Sequence, residues 1–453
     1  MIRSIPFFLA LMLVLGCAKK EDPFMLELRL VNEYSQTGLP GVTVEKNGIA
    51  VGHTDVHGLF QLSGVVASDS IVFVDADFHA VALISSDHQG LIRSRLYEAQ
   101  KQWTSRDSAA ISFLLSQQNA LGILPTVEGG NLVSTYDQSL AAIALMAAGE
   151  FDVAIEIFDY FESRRVSELE SGLGGFYQFR SASGIPSGNR WMGDNAWLLI
   201  ALRNYQAAST VNMPTYSSLI ASLESWFLSL EDPVDGGLWG GYKANGDTIH
   251  KITEGNIDAF AGLLNTGPYA GLRKSILSHL EQDKWDSSEG NLMAWPSNAT
   301  YKWALDCYTW AYCAFPEYST AALTEINKFE LTVTSQVTGE QITGYCFDED
   351  LDALWFEGTG QVAVMYWSAG EPAAAKLVLA EMKKGWSTTP NGEAGLAYTA
   401  NSGTAYGSGP LWTVAPTDPC ISSTAWYLMA SLRHNPTALS FSTPIEAEMM
   451  FWN

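Results

Sequence analysis

Asp194-Asn195-Ala196-Trp197-Leu198-Leu199-Ile200-Ala201-Leu202 becomes apolar on nearly every side once two polar residues have opened it. A surface helix carries one apolar stripe and one wet face, so a segment that is apolar all round belongs where it is buried all round. Leu140-Ala141-Ala142-Ile143-Ala144-Leu145 reads the same way, whereas the intervening Glu150-Phe151-Asp152-Val153-Ala154-Ile155-Glu156-Ile157-Phe158 is amphipathic. Working outward, helical periodicity from about residue 100 predicts helices over 104–118, 135–148, 151–166, 194–207, 214–229, 255–265, 268–283, 302–314, 319–333, 351–369, 371–384 and 421–434. Every second one is the more apolar. Connections after 148, 265, 314 and 369 are short, while those before 135, 194, 255, 302, 351 and 421 are long and rich in Gly, Trp, Tyr and Ser. That alternation is the rhythm of stacked helical hairpins. An inner ring of six and an outer ring of six, an (α/α)6 toroid of about twelve helices, accounts for both facts. A helical solenoid would repeat connections of similar length, and these do not.

Residues 25–97 have another texture. Leu26, Leu28 and Leu30 alternate with polar residues, as do Val42 and Val44, Phe60 and Leu62, and Ile71 and Phe73. Period two over short runs predicts strands with one buried face. Gly38-Leu39-Pro40-Gly41, Asn47-Gly48 and Asp55-Val56-His57-Gly58 supply turn chemistry between them. TGLPGVTV, GHTDVHGLFQL and DSIVFVDADF resemble the carboxypeptidase-regulatory-like β-sandwich. The resemblance implies a small all-β spacer ahead of the helical unit at 100–440.

The amino terminus carries an address. Arg3 precedes an apolar run from Ile5 to Leu15, short of the ~20 residues a spanning helix needs but suited to a cleaved signal peptide over 1–16. Val14-Leu15-Gly16-Cys17 resembles the bacterial lipobox, which implies lipid on Cys17, a tether over 17–24, and export of everything after it. Ala18 follows, not an aspartate, so the expected place is the cell envelope, at the outer membrane if the cell is Gram-negative. Among 453 residues, 47% are hydrophobic and 15 are Trp, which indicates a large core. A formal charge of -24 excludes a phosphate-backbone binder, so no nucleic acid is expected as partner. Cys307, Cys313, Cys346 and Cys420 contain no CxxC and no neighbouring His, so neither zinc nor any other cofactor is expected. Export leaves two readings open for them, disulfides or buried free thiols.

The chemistry is expected on the rim formed by the long loops and the amino ends of the inner helices. There stand Tyr136-Asp137-Gln138, Trp191 with Asp194-Asn195, Glu254 with Asn256, Trp303 with Asp306, and Trp355-Phe356-Glu357. Acids and hydroxyls belong at helix starts as caps. Capping does not account for the Trp, Tyr, Gln and Asn beside them, nor for Glu357 between Phe356 and Gly358. Asp348-Glu349-Asp350-Leu351-Asp352 reads as a solvated helix start or a Ca²⁺ loop. Aromatic residues in the loops, among them Trp295, Tyr406 and Trp412, suit stacking on sugar rings. TYDQSLAAIAL, GDNAWLLIAL, TEGNIDAFAGL, LWFEGTGQVAVMY and STAWYLMASL resemble the six-hairpin glycosidase superfamily, over residues 100–435. That superfamily includes hydrolases, epimerases, lyases and phosphorylases. The resemblance implies an oligo- or polysaccharide as partner and, for a hydrolase, inversion by paired carboxylates. Glu254 and Glu357 are the expected catalytic pair, with Asp194 as rival for either role. Asp137, Gln138, Asn195, Asn256 and Asp306 are expected to meet hydroxyls, and Tyr136, Trp191, Trp303 and Trp355 to stack. Alternatives are a non-catalytic glycan-binding lipoprotein, or a lyase or epimerase, for which only His250 lies near the rim.

Overall fold

The structure, a computed structural model, describes residues 23–66, 68–86, 92–208, 213–295, 302–388, 392, 394–402 and 418–453. Cys17 and the expected signal peptide, Tyr406 and Trp412 lie outside the described residues. The chain is multidomain, a β unit followed by a helical one.

In the β unit the strands are β1 (Phe24–Asn32), β2 (Thr43–Lys46), β3 (Ile49–His53), β4 (Leu59–Val65), β5 (Ile71–Val74), β6 (Phe78–Ser86) and β7 (Ile92–Lys101). One sheet runs β4-β1-β7-β6, with β1 parallel to β7, and a second runs β3-β2-β5. Alternate residues Leu26, Leu28 and Leu30 of β1 are buried in one cluster with Val42, Val44, Phe78 and Tyr97, the outcome of a period-two pattern with one face turned inward. Asn47 and Gly48, at φ 53° and 77°, make the left-handed turn that the twist of the β2–β3 hairpin demands. The last strand runs to Lys101, beyond the expected boundary at 97, because its pairing with Phe78 and His79 of β6 continues to that point.

Each of the twelve expected helical segments contains an α-helix: α1 (Ser105–Ser116), α2 (Thr135–Ala147), α3 (Phe151–Glu162), α4 (Met192–Ala208), α5 (Ser217–Ser229), α6 (Thr253–Gly262), α7 (Tyr269–His279), α8 (Leu305–Ala314), α9 (Ala321–Glu325), α10 (Phe356–Ser368), α11 (Pro372–Met382) and α12 (Ile421–Ser431). α2 packs on α4, α4 on α6, α6 on α8, α8 on α10, α10 on α12, and α12 returns to α2. These six form a closed ring, and they are buried almost throughout. α3, α5, α7, α9 and α11 each pack outside the even-numbered helix before them, and α1 packs on α12 and α2. The amphipathic α3 buries Ala154, Ile157, Phe158 and Phe161 and leaves its other face wet.

Three expectations are corrected. The segment 319–333 is helical only through α9 and a 3-10 turn at Ile326–Phe329; Glu330–Thr334 then pairs with Gln341–Tyr345 as a hairpin. The consecutive β-branched residues Thr332, Val333 and Thr334 favour that strand over a helix. The segment 351–369 becomes helical only at Phe356, since Leu351 sits at φ 55° and the acidic run before it is a loop. In that loop Asp348 accepts from the Asp350 backbone and Asp350 from the Asp352 backbone, both at 3.0 Å. The helical unit also extends past 440: α13 (Ala438–Phe441) packs on α6 and α8, and Trp452 stacks on Phe315 with ring centroids 5.1 Å apart.

The β unit covers the end of the ring where the even helices finish. Arg433, just past α12, reaches back to Pro40 O at 3.0 Å and to both carboxylate oxygens of Asp75 at 2.9 Å. Its guanidinium lies 4.4 Å from the Trp367 ring of α10. Thr37 meets His434 at 3.2 Å, and His434 meets Asn204 of α4 at 3.1 Å. The opposite end, where those helices begin, is left open to the long loops.

Candidate active site

Six helices that start at one end of a ring present equivalent positions to a common axis. At 100° per residue, the second and sixth residues of a helix lie on nearly the same side, while the fourth lies about 200° round from the second. The second residues are Tyr136, Gly193, Glu254, Asp306, Glu357 and Ser422; the sixth are Leu140, Trp197, Asp258, Trp310, Gln361 and Trp426. A cavity of about 300 Å³ opens here. Tyr136, Glu254, Asp306 and Glu357 line it from the upper tier, Trp197, Asp258 and Trp310 from the lower, with Asp194 between. Loop residues Trp191, His250, Trp295, Trp355 and Tyr398 complete the wall.

The fourth residues do something else. Asn195 accepts from Phe176 N at 2.8 Å and donates to Phe176 O at 3.0 Å. Asn256 grips Leu238 in the same way, at 2.8 and 3.1 Å, and Gln138 grips Leu124 at 2.8 Å in both directions. Thr359 accepts from Tyr345 N at 3.1 Å, Thr424 from Leu396 N at 3.0 Å, and Tyr308 donates to Glu289 at 2.8 Å. All six hold the long loops that precede their own helices. Gln138, Asn195 and Asn256, expected to orient hydroxyls, are therefore turned away from the cavity onto buried backbone, where the loops' N–H and C=O groups need partners. Trp303, expected to stack on substrate, packs instead edge-on to Tyr308 at 6.1 Å with Lys328 over its face at 5.0 Å. Asp137, the third residue of α2, is buried outside the cavity wall, and burial pushes its carboxyl up to about 7.

Of the expected catalytic residues, Glu254, Glu357 and Asp194 all reach the cavity, as do Tyr136, Trp191, Asp306 and Trp355. Tyr136 Oη donates to Glu357 Oε1 at 2.6 Å and accepts from Trp426 Nε1 at 3.3 Å. Burial raises the Glu357 carboxyl to about 8, against the Tyr136 bond, which favours the ionised form. Such a group holds its proton at neutral pH. The glycine after it permits close packing: a Cβ on Gly358 would come within 2.5 Å of both Trp355 and Leu305, the first residue of α8. Glu254 keeps partial exposure, and burial raises its carboxyl too. Asp194, Asp258 and Asp306 are raised well above the usual carboxylate range, first by burial and then by neighbouring acids.

Sequence reasoning missed Asp258, Trp197 and Trp310. The signal was present for Asp258 and Trp310, which stand one helical turn beyond Glu254 and Asp306 at nearly the same phase, whereas Trp197 follows Gly193. The four cysteines are all buried and free, which agrees with thiols packed as small apolar groups. Among the described residues, clusters that would gather three ligand atoms for a metal fall at Asp235, His279 and Asp283 and at Cys346, Asp348 and Asp350, outside this cavity.

No family model matches the chain, and no curated protein matches it. Solved structures do. A wild-type glycosidase aligns with a TM-score of 0.55 at 13% identity, over 72% of this chain and 95% of its own. A glycosidase variant in complex with glucose gives 0.53 at 14%, over 72% and 96%. A sugar epimerase from a ruminal bacterium gives 0.51 at 10%, over 71% and 95%. What the chain shares with these carbohydrate-active proteins, at such identities, is the fold.

Proposed function

We propose that this protein is a glycoside hydrolase built on an (α/α)6 toroid, with Glu357 as proton donor and Glu254 as the carboxylate that activates water. One observation carries the reading: two glutamates from the first turns of α6 and α10 line a single aromatic-walled cavity, and one of them is held protonated. Hydrolysis of a glycosidic bond needs one acid to protonate the leaving oxygen and a second carboxylate on the far side of the sugar. Tyr136 occupies one oxygen of Glu357 as acceptor, which leaves the proton to the other. Trp191, Trp295 and Trp355 offer faces to sugar rings. Inversion is the proposed outcome, to be read from the anomer first released. The test is a glycan panel followed by Glu357→Gln and Glu254→Gln. Each is expected to lower kcat by ~10²–10⁴-fold on any glycan turned over, with the folded far-UV signal kept. Full activity in both variants would remove the assignment.

A second reading has its own observation. His250 lies in the cavity wall, and an epimerase would use such a base. His250→Ala abolishing turnover while Glu357→Gln leaves it intact would favour that reading.

The β unit reads as a carboxypeptidase-regulatory-like spacer, and Cys17 as its lipid attachment site. Because the β unit covers the ring end opposite the cavity, a chain anchored at Cys17 would hold the spacer between membrane and ring and turn the cavity mouth outward to glycans. Labelling with a radioactive fatty acid that persists in Cys17→Ser would overturn the anchor.

A further inference from the structure

Two carboxyl groups suffice for the proposed hydrolysis, and the cavity has five: Asp194, Glu254, Asp258, Asp306 and Glu357. Among the described residues no Lys or Arg is in its wall, and His250 stands at the exposed mouth. Asp194 Oδ2 and Asp306 Oδ1 are buried and accept no hydrogen bond, although their residues are only 8% and 7% exposed. A buried polar atom left unmatched costs about 1–3 kcal/mol, so these oxygens await a hydrogen-bond partner. Sugar hydroxyls would supply hydrogen bonds and no charge. A uronate or sulfate would bring a buried negative charge with no Lys or Arg among the described lining residues to pair with it. A metal ion would need oxygens gathered around one point, and the described groupings that achieve this lie elsewhere.

The lower tier gives the second indication. Asp258 stands among Trp197 and Trp310, whose rings meet edge-on with centroids 5.3 Å apart, and Tyr136 meets Trp197 at 5.5 Å. Acids that can ionise among aromatic rings form an environment that can stabilise an organic cation, through charge and through the ring quadrupole together. We propose that the cavity binds a sugar bearing a free ammonium group, with the nitrogen between Asp258 and Asp306 above the Trp197–Trp310 pair. The inference rests on reading the cavity as a sugar site and adds the class of sugar.

Entry of the ammonium would favour the ionised form of both aspartates, whose carboxyls burial otherwise holds protonated. Binding should therefore release protons. Calorimetric titration of the full chain with glucosamine, glucose, N-acetylglucosamine and glucuronate at neutral pH, in two buffers of different ionisation enthalpy, reads both affinity and proton release. Glucosamine is expected to bind at least about tenfold tighter than glucose, or ~1.4 kcal/mol, with proton release, and glucuronate not to bind. Asp306→Asn and Asp258→Asn should erase the difference between glucosamine and glucose. Equal affinity for glucose or N-acetylglucosamine, no binding of glucosamine, or a preference that survives both variants would overturn the proposal. The wild-type comparison needs no variant to fold. Amine preference without cleavage of any glycan would remove the hydrolase and keep this inference; cleavage of neutral glycans without amine preference would do the reverse.

Discussion

Glu357 keeps its proton because its surroundings cannot solvate a charge, and Tyr136 restrains that effect by donating to it at 2.6 Å. Removing the hydroxyl removes the restraint. Tyr136→Phe should move the alkaline limb of the kcat/KM profile above its wild-type position near about 8 by ~1 unit, while kcat/KM falls at neutral pH. A merely structural Tyr136 would lower activity without moving the limb. The wild-type profile itself should be bell-shaped. With the proposed roles, activity would be lost as pH rises through the Glu357 value, where a proton donor there loses its proton, and lost at low pH, where Glu254 gains one. The acidic limb should lie above the ordinary glutamate range because burial raises Glu254.

At the scale of the element, each ring helix divides its first turns between two duties. The second residue lines the cavity in α2, α4, α6, α8 and α10, joined by the sixth in α4, α6 and α8, and in all six helices the fourth ties down the preceding loop. Asn256→Ala would leave both the N–H and C=O of buried Leu238 without their partner, an expected loss of about 1–3 kcal/mol in denaturant unfolding. Hydrogen exchange should quicken over 236–241, and under the proposed function affinity for substrate should fall more than kcat, since this loop leads to His250 in the cavity wall and carries neither proposed catalytic acid. Unchanged exchange in that loop would contradict the clasp. Gln138 and Asn195 are expected to act alike on the loops around Leu124 and Phe176.

The whole molecule is closed at one end of its ring by the β unit and open at the other. Arg433 joins them: its side chain is 1% exposed and paired with Asp75 at 5%. Arg433→Ala would strand that buried carboxylate and is expected to cost about 3–5 kcal/mol, read by thermal or denaturant unfolding; a loss below 1 kcal/mol would show that the junction draws its strength elsewhere. Acidity acts on the molecule as a whole. Glu357 at about 8, Asp137 at about 7, and Asp194, Asp258 and Asp306 all sit above their unfolded values. Between the ordinary carboxylate range and about 8 the folded chain thus binds more protons than the unfolded one, and stability falls as pH rises through that window. His434, held down to about 4, works the other way: its contribution is lost as pH falls from the unfolded histidine value. Glu254, Glu224 and Asp348 are raised as well, and His279 is lowered like His434; the raised carboxyls outnumber the two imidazoles, so Tm should be higher at about pH 5.5 than at about pH 8. A lower Tm at the acidic pH would show that the cavity acids are ionised in the folded protein.

Helix positions, their alternation between fully apolar and amphipathic, the strands of the β unit and the acids at helix starts were all legible in the chain, because periodicity and capping are properties of consecutive residues. The short α9 and the delayed start of α10 were not, since the β-branched run at 332–334 and a left-handed Leu351 override a helical reading only once the neighbouring strand and loop are in place. Which polar residue of each first turn meets the cavity was decided in three dimensions. Asp194 and Asn195 are adjacent in sequence and equally polar, yet one lines the cavity and the other grips Phe176. The phase of a helix about its own axis is set by packing against the two helices beside it, and only the return of α12 to α2 brings Tyr136, Glu357 and Trp426 into one hydrogen-bonded chain.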